Sequence, residues 1–223
     1  MAVESFFLAV LLTITGGFLD AYTFCCRDQV FANAQTGNVV RVGIAIALGN
    51  PGDVIRYLIP IFAFAAGVLL ALAVRDRTAA GQESLWRQRV LLLEIAVAAA
   101  VGIIPQGTLP NIVSNVLVSF LCALQAESFR KVVGRAFAST MCTGNLRSGT
   151  ECLYQAIRKR DRGALSAAGR YFALIFIFVA GAALGVLISS WLGARAIFLT
   201  ELPLVGALFF LFFTQEPRGR LVR

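Results

Sequence analysis

Six runs of mostly apolar residues constrain this chain more than any other feature of its sequence. They cover residues 5–24, 54–74, 90–106, 109–127, 171–192 and 196–213. A helix needs about 17–25 such residues to cross a hydrocarbon core of ~30 Å. A soluble domain could not bury these runs, because 58% of the 223 residues are hydrophobic and only 14% are charged, against roughly 45–50% and 25% in soluble domains. The runs therefore predict an all-α polytopic membrane protein.

The remaining composition argues against several classes of function. The net charge of +8 comes from basic residues in short loops between apolar runs, where membrane insertion places them, so we expect no nucleic-acid partner. The chain has no histidine, which removes imidazole metal ligands, His-ligated haem and His general bases. The five cysteines lack CxxC spacing and mostly lie in apolar segments, which is typical of helix packing. We therefore expect no metal, no cofactor and no enzymatic activity.

Two further stretches, residues 31–49 and 137–156, are compatible with helices but are conspicuously polar. Either both cross the membrane, giving eight helices, or both enter and return, giving six transmembrane helices plus two re-entrant half-helix segments. Eight crossings put nine basic residues on each side, whereas two re-entrant segments give fifteen against three, with Arg41 and Arg147 inside the segments. Cytoplasmic loops carry an excess of Lys and Arg. We therefore predict six helices with both termini cytoplasmic.

The two halves of the chain resemble each other, which indicates an internal repeat. The matching pairs are Thr36-Gly37-Asn38 with Thr143-Gly144-Asn145, residues 61–67 with 175–181, Leu92-Leu93-Glu94 with Leu199-Thr200-Glu201, and Asp20-Ala21 with Gln125-Ala126. With three crossings per half, the second half starts on the opposite side of the membrane, so the repeats must be inverted. We predict membrane repeats at residues 1–107 and 108–215, followed by a basic cytoplasmic tail at 216–223.

Some of these residues also resemble the signatures of a known family. Gly17-Phe18-Leu19-Asp20-Ala21, Phe31 and Thr36-Gly37-Asn38 are similar to the first-half signature of the YoaK-like bacterial membrane proteins, a domain of unknown function (number 1275). Leu124-Gln125-Ala126 followed by Thr143-Gly144 is similar to the second-half signature. The resemblance covers essentially the whole chain. It implies a six-helix integral protein of the bacterial cytoplasmic (inner) membrane, and it brings no established substrate or catalytic residue.

The two Thr-Gly-Asn segments, called the TGN segments below, are the main candidates for a functional site. Exposed backbone at membrane depth is tolerated only inside protein or beside a wet cavity. Gly37 and Gly144 would supply unusual φ angles there, while the Thr and Asn side chains would bond the freed backbone. Alternatively, Thr and Asn only cap half-helices and pack against neighbours. The candidate pore or substrate residues are Asp20, Thr36, Gly37, Asn38, Arg41, Gln125, Thr143, Gly144, Asn145 and Arg147.

Three acidic residues in or near apolar runs have alternative interpretations. Asp20 is a functional candidate because ionisable groups at membrane depth usually are, but it could instead pair with Arg41 or lie at the interface beside Arg27 and Asp28. Glu94 and Glu201 follow their helix entries closely, which favours snorkelling to the headgroups or capping. As symmetry mates, both remain candidates for gates or proton sites.

These features predict a small transporter or channel with a pseudo-symmetric site at the bilayer midplane. Half-helices that begin at the TGN segments would point positive N-termini, and then Arg41 and Arg147, at that site. This favours a small anionic or neutral polar solute, and the partners we expect are the lipid bilayer and that solute or ion. Gly181 and Gly185 form a GxxxG pair that packs either inside the chain or in a homo-oligomer. The alternatives are a structural or accessory membrane subunit and an intramembrane enzyme, which would lack histidine and a second buried Asp.

Overall fold

The chain folds into a bundle of α-helices in the computed structural model, which describes residues 5–33, 35–78 and 82–214. The helices in these ranges are α1 (Phe6–Cys26), α2 (Gln35–Ala47), α3 (Pro51–Asp76), α4 (Glu83–Ile103), α5 (Thr108–Ser128), α6 (Cys142–Lys159), α7 (Arg162–Leu192) and α8 (Glu201–Phe213). A 3₁₀ helix, Gly193–Thr200, joins α7 to α8. The short strands β1 (Lys131–Val132) and β2 (Arg135–Ala136) form an antiparallel hairpin between α5 and α6, which the sequence did not predict. The predicted tail at 216–223 lies outside the described residues.

Apolar helices with an apolar outer surface confirm the predicted class, a multi-pass helical membrane protein. Four helical segments of the described chain are long and apolar enough to cross a membrane: Phe6–Cys26, Pro51–Asp76, Thr108–Ser128 and Arg162–Phe213. The surface carries large apolar side chains, among them Trp191, which is 86% exposed. A surface of this kind is unfavourable in water but is what lipid tails require.

Glycines bring two pairs of helices into direct backbone contact. In the pair of α7 and α1, a Cβ added at Gly181 would meet the carbonyl oxygen of Ile14. In the pair of α3 and α5, a Cβ at Gly67 would lie 2.6 Å from the carbonyl oxygen of Phe120. Small residues at such crossings allow membrane helices to approach closely. The predicted GxxxG pair, Gly181 and Gly185, therefore packs inside the chain against α1.

Contacts between helix termini define two ends of the bundle. At one end, Arg87 Nε in α4 donates to the Ser128 carbonyl of α5 at 2.8 Å, and Gln88 Nε2 donates to the Leu211 carbonyl of α8 at 3.1 Å. At the other, which we call the Arg27 end, α1 and α4 end and α5 begins. The end of α3 and the start of α7 join the first end, because Arg75 pairs with Glu127 and Tyr171 bonds the hairpin at Ala136. We call it the basic end, because the chain segments at these helix ends contain Arg75, Arg77, Arg87, Arg89, Arg130, Lys131, Arg135, Arg158, Lys159, Arg160, Arg162 and Arg170.

Two helices extend beyond the apolar runs that predicted them. The run at 90–106 corresponds to α4. This helix begins at Glu83, so it includes about two polar turns that precede the apolar run. The Arg-rich segment 158–170 was expected to be a loop, but α6 continues to Lys159 and α7 begins at Arg162. Asp161 caps α7, since its carboxylate accepts from the Gly163 amide at 2.7 Å. The loop therefore shrinks to two residues.

Candidate functional site

An irregular segment precedes each TGN helix. We call residues 30–33, before α2, the first arm, and residues 137–140, before α6, the second arm. A left-handed turn stands ahead of each arm: φ is 63° and 57° at Asp28 and Gln29, and 48° and 73° at Val133 and Gly134. Left-handed residues reverse the chain tightly. Each arm therefore runs back into the bundle from the end at which the preceding helix stopped.

The two arms meet at Gly16. A Cβ added to Gly16 would lie 2.7 Å from the carbonyl oxygen of Ser139 in the second arm and 3.6 Å from Asn33 Nδ2 in the first. Gly16 is the midpoint of α1, Phe6–Cys26. The first arm comes from the Arg27 end and the second from the basic end, because they follow α1 and α5 respectively. Arms from opposite ends thus meet halfway along the bundle.

Asp20 anchors the first arm. Its Oδ1 accepts a hydrogen bond from the backbone amide of Asn33 at 3.1 Å. Around it, Thr23 Oγ1 accepts from the Ala32 amide at 3.3 Å, and Ser119 Oγ donates to the Ala32 carbonyl at 2.7 Å. These bonds satisfy backbone groups that the irregular arm would otherwise leave unpaired inside the protein.

Gln125 anchors the second arm from the matching position of the other half. Its Nε2 donates to Ser139 Oγ at 2.8 Å and to the carbonyl of Leu12 in α1 at 3.0 Å. Asp20 and Gln125, which the predicted repeat pairs, therefore each hold the arm that follows them in the chain. The difference is chemical, because only the first anchor carries a carboxylate.

The asparagines of the TGN segments tie each helix back to its own arm. Asn38 Nδ2 donates to the Phe31 carbonyl at 3.3 Å. Asn145 Nδ2 donates to the Ala138 carbonyl at 2.7 Å, and its Oδ1 accepts from the Ala138 amide at 3.2 Å. Both partners lie seven residues earlier in the chain, so the two halves make the same local contact.

The glycines of the TGN segments do not supply unusual backbone angles, and this prediction was wrong. Gly37 and Gly144 are the third residues of α2 and α6 and are absent from the positive-φ positions. The chain reverses earlier, at the left-handed turns. A Cβ at either glycine would meet nothing within 4 Å, and Thr36 and Thr143 are exposed. Threonine and glycine thus face open space, whereas the asparagines are buried.

The two arginines of the TGN helices are directed away from the arms. Arg41 Nη1 donates to the Gln29 carbonyl at 2.9 Å, and its guanidinium lies over the ring of Tyr57. Arg147 Nε pairs with Glu151 Oε1 at 2.9 Å on an exposed surface. The possible pairing of Arg41 with Asp20 is not made, because Asp20 bonds the first arm instead. Neither guanidinium therefore adds its charge to the meeting point through these contacts.

Residues of the first arm, of α2 and of the second anchor carry buried polar atoms without hydrogen-bond partners in the described part of the chain. Asn33 is 2% exposed, yet neither Nδ2 nor Oδ1 has a partner. Asn38 Oδ1 and Gln125 Oε1 also lack partners. Leaving such a group unpaired costs about 1–3 kcal/mol, and native proteins contain few of them.

Glu94 lies deeper than the sequence indicated. It is near the midpoint of α4 because that helix begins at Glu83, and it is 0% exposed. Among the described residues, neither of its carboxylate oxygens has a hydrogen-bond partner. Its repeat mate Glu201 is the first residue of α8 and is half-buried. Glu94 therefore has no route for snorkelling to the headgroups, and the two mates occupy different environments.

Arg27 is a structural residue that sequence reasoning missed. It is 0% exposed and donates to the carbonyls of Val101, Ile104 and Pro105 at 3.2, 2.9 and 2.8 Å. Its Nε donates to Tyr22 Oη at 2.9 Å. A guanidinium at a helix C-terminus satisfies the last carbonyls and matches the negative end of the dipole. Arg27 thus locks the end of α1 onto the end of α4.

No metal-binding cluster is present within residues 5–33, 35–78 and 82–214, where no three His, Cys, Asp or Glu side chains are grouped to hold an ion. The polar groups at the meeting point are amides, hydroxyls and one carboxylate, which suit hydrogen bonding to a solute.

The helices, the glycine crossings and the inward arms define a multi-pass helical membrane protein. The chain belongs to the family described as Protein of unknown function (DUF1275), which matches residues 8–211. It is 26% identical over 146 residues to the UPF0700 transmembrane protein YoaK of Bacillus subtilis (strain 168), a match covering 63% of this chain and 64% of YoaK, less than two thirds of that relative. No solved structure matches the chain. The predicted membership of a YoaK-like family is confirmed.

Proposed function

We propose that this protein is a small membrane transporter or channel whose solute site lies where the two arms meet. The observation that carries the proposal is the amide of Asn33, buried and without a partner beside Gly16. A purely structural subunit would be expected to satisfy its buried polar groups. Unpaired donors and acceptors at the centre of a membrane bundle are instead typical of a site that a solute completes.

The proposed architecture has six transmembrane helices in two inverted repeats, with α1, α3 and α4 in one and α5, α7 and α8 in the other. Reciprocal packing supports it: Gly67 of α3 contacts Phe120 of α5, and Gly181 of α7 contacts Ile14 of α1. Gly67 is the repeat mate of Gly181. In this architecture α2 and α6, with their arms, are re-entrant segments from opposite faces, as in many secondary transporters.

The proposed orientation puts the basic end in the cytoplasm of a bacterium, with the protein in the inner membrane and both termini cytoplasmic. The asymmetry of charge supports this orientation under the positive-inside rule. At the Arg27 end, Arg27 is buried and Arg56 pairs with Asp28 at 3.3 Å. The fold therefore engages both side chains, Arg27 with backbone carbonyls and Arg56 with a carboxylate.

The chemistry around the meeting point favours a neutral polar solute over an anion. Asn33 offers a donor and an acceptor, while Asn38 and Gln125 offer acceptor oxygens. The carboxylate of Asp20 repels anions, and Arg41 and Arg147 are engaged elsewhere. The N-terminus of α6, which has no side-chain cap at Met141, adds a weak positive potential that opposes cations.

Glu94 enters the proposal as a gate or proton site beside the pathway. Its carboxylate is unpartnered among the described residues and lies at the midpoint of α4. Ionisable side chains inside membrane bundles commonly serve proton or ion movement. Glu201, at the start of α8, is the symmetry-related candidate. No catalytic step is proposed.

A flux assay in proteoliposomes tests this function. Purified protein is reconstituted, and permeation of glycerol, urea, chloride, small carboxylates and K⁺ is measured for wild type and for Asn33→Leu, which removes the amide at similar volume. Losing one or two hydrogen bonds of about 1–1.5 kcal/mol each predicts about 5- to 140-fold weaker flux of the favoured solute. Gln82→Leu, at an exposed position without a capping bond, is the matched control.

Three outcomes are informative. Flux of glycerol or urea that falls with Asn33→Leu and persists with Gln82→Leu supports a neutral-solute pathway. Robust K⁺ flux that survives Asn33→Leu overturns it. No flux of any solute, together with loss of folding in Asn33→Leu, favours a structural or accessory subunit instead.

A further inference from the structure

A small, half-open cleft lies at the basic end, beside the hairpin that leads into the second arm. Its lining consists of Arg135 from β2 and Ala167, Arg170 and Tyr171 from α7. Arg170 directly precedes the apolar run that begins at Tyr171. The cleft therefore lies where α7 passes from the polar region into apolar surroundings, which is the level of lipid headgroups in a bilayer.

Both arginines of the cleft lack an acidic partner among the described residues. Arg135 Nη1 contacts only the sulfur of Cys152, at 3.5 Å, and Arg170 has no ion pair within the described ranges. Other arginines of the chain, such as Arg75 and Arg147, do pair with carboxylates. Two guanidinium groups lining one cleft repel each other, and that arrangement is stabilised when an anion lies between them.

The floor of the cleft is held in place by its neighbours. Tyr171 Oη donates to the Ala136 carbonyl at 2.6 Å, which fastens the hairpin to α7. Ala167 is 1% exposed and Tyr171 is 5% exposed. The two arginines thus project from a fixed wall, so binding an anion requires ordering only the side chains themselves.

We propose that this cleft binds a phosphate group through Arg135 and Arg170, and that the phosphate is supplied by an anionic phospholipid. Guanidinium groups form bidentate hydrogen bonds to phosphate oxygens. Basic pockets between membrane helices on the cytoplasmic side are suited to anionic headgroups. Because the hairpin leads directly into the second arm, a bound headgroup would also stabilise the segment that positions Ser139.

Thermal unfolding in detergent tests the site. The midpoint is measured while phosphatidylglycerol, phosphatidylcholine or inorganic phosphate is titrated into wild type, Arg135→Gln/Arg170→Gln and the control Arg158→Gln/Arg162→Gln. The control removes the same charge from the same end at exposed positions. We expect phosphatidylglycerol, and not phosphatidylcholine, to stabilise wild type and control, with at least about tenfold weaker apparent affinity in the cleft variant.

Other results separate the alternatives. Equal stabilisation of all three proteins by phosphatidylglycerol would overturn the site in favour of diffuse attraction to the basic end. Stabilisation by inorganic phosphate but not by phosphatidylglycerol would show that the cleft binds phosphate and would overturn the proposal that a phospholipid supplies it. If the cleft variant does not fold, Arg135→Lys/Arg170→Lys keeps the charge and loses the bidentate geometry. Undiminished lipid affinity in that variant would also contradict the proposal.

Discussion

Replacing Gly16 by alanine should separate the function of the two arms from the stability of the fold. The new Cβ would lie 2.7 Å from the Ser139 carbonyl oxygen, whereas ordinary contacts begin at 3.4 Å. The second arm must therefore move by about 0.7 Å, since a close-packed interior offers no free space. Overpacking of this kind costs about 1–3 kcal/mol, and alanine returns roughly 0.5–1 kcal/mol relative to glycine inside a helix. We expect Gly16→Ala to fold with about 0–2.5 kcal/mol lower stability.

The shift should be felt by the proposed solute site. It strains the 2.8 Å hydrogen bond from Gln125 to Ser139, on the side of the site opposite Asn33, whose Nδ2 lies at an ordinary contact distance of 3.6 Å from the same Cβ position. We expect solute flux in proteoliposomes to fall at least about tenfold, the effect of 1.4 kcal/mol in binding. The control is Gly43→Ala in α2, where a Cβ meets nothing within 4 Å. Equal flux in the two variants would refute the importance of the meeting point.

Two further predictions concern individual hydrogen bonds, and a third concerns the number of membrane crossings. Arg27→Met should lower the free energy of unfolding by roughly 2 kcal/mol or more, because it leaves the carbonyls of Ile104 and Pro105, just beyond α4, unpaired, and an unchanged melting temperature in detergent would contradict this. Single cysteines at positions 28 and 52, in a background free of other cysteines, should be labelled from the same, outer face, and labelling from opposite faces would establish eight crossings. Tyr171→Phe should destabilise the protein by about 1 kcal/mol through loss of its bond to Ala136, measurable as a lower melting temperature with unchanged helical content.

The residues that anchor the arms could be singled out from the sequence because the predicted repeat aligns them, but their role as anchors was not predicted. Asp20 and Gln125 occupy equivalent positions, and each bonds the arm of its own half. Asn38 and Asn145 are likewise aligned and make the same contact seven residues back. Burying polar residues in apolar surroundings costs free energy unless they have hydrogen-bond partners. Their repetition at the same offset therefore marked these residues as important in the sequence.

The positions of the two chain reversals could not be predicted. The reversals have the same backbone conformation, but their residues follow no common sequence pattern. Asp28 and Gln29 adopt left-handed angles in one half, while Val133 and Gly134 do so in the other. Only Gly134 is a residue type that favours this conformation, and valine normally avoids it. Without a local pattern, the TGN glycines were the natural but incorrect choice.

The burial of Arg27 and Glu94 could not be predicted either, because it depends on contacts and helix boundaries far from these residues in the sequence. The partners of Arg27 at the end of α4 are 74 to 78 residues away in the sequence. From the sequence Arg27 is a basic residue in a loop, whereas in the structure it is buried and caps the end of α4. Glu94 seemed to follow a helix entry because the apolar run begins at Val90. The helix begins seven residues earlier, at Glu83, so the Glu94 carboxylate lies near the midpoint of α4.

The central claim is that the two arms meet at the middle of the bundle and form the solute site there. Its most direct test is the double variant Asn33→Cys/Ser139→Cys in a background free of other cysteines, reconstituted in proteoliposomes. Both positions lie beside the same Cβ position of Gly16, so oxidation or a short bifunctional thiol reagent should link them within one chain. The link itself is the readout, because Asn33→Cys also removes the amide proposed to bind the solute and should lower flux before any linking. Failure to form an intrachain link, or flux equal to that of wild type in the unlinked double variant, would contradict the account.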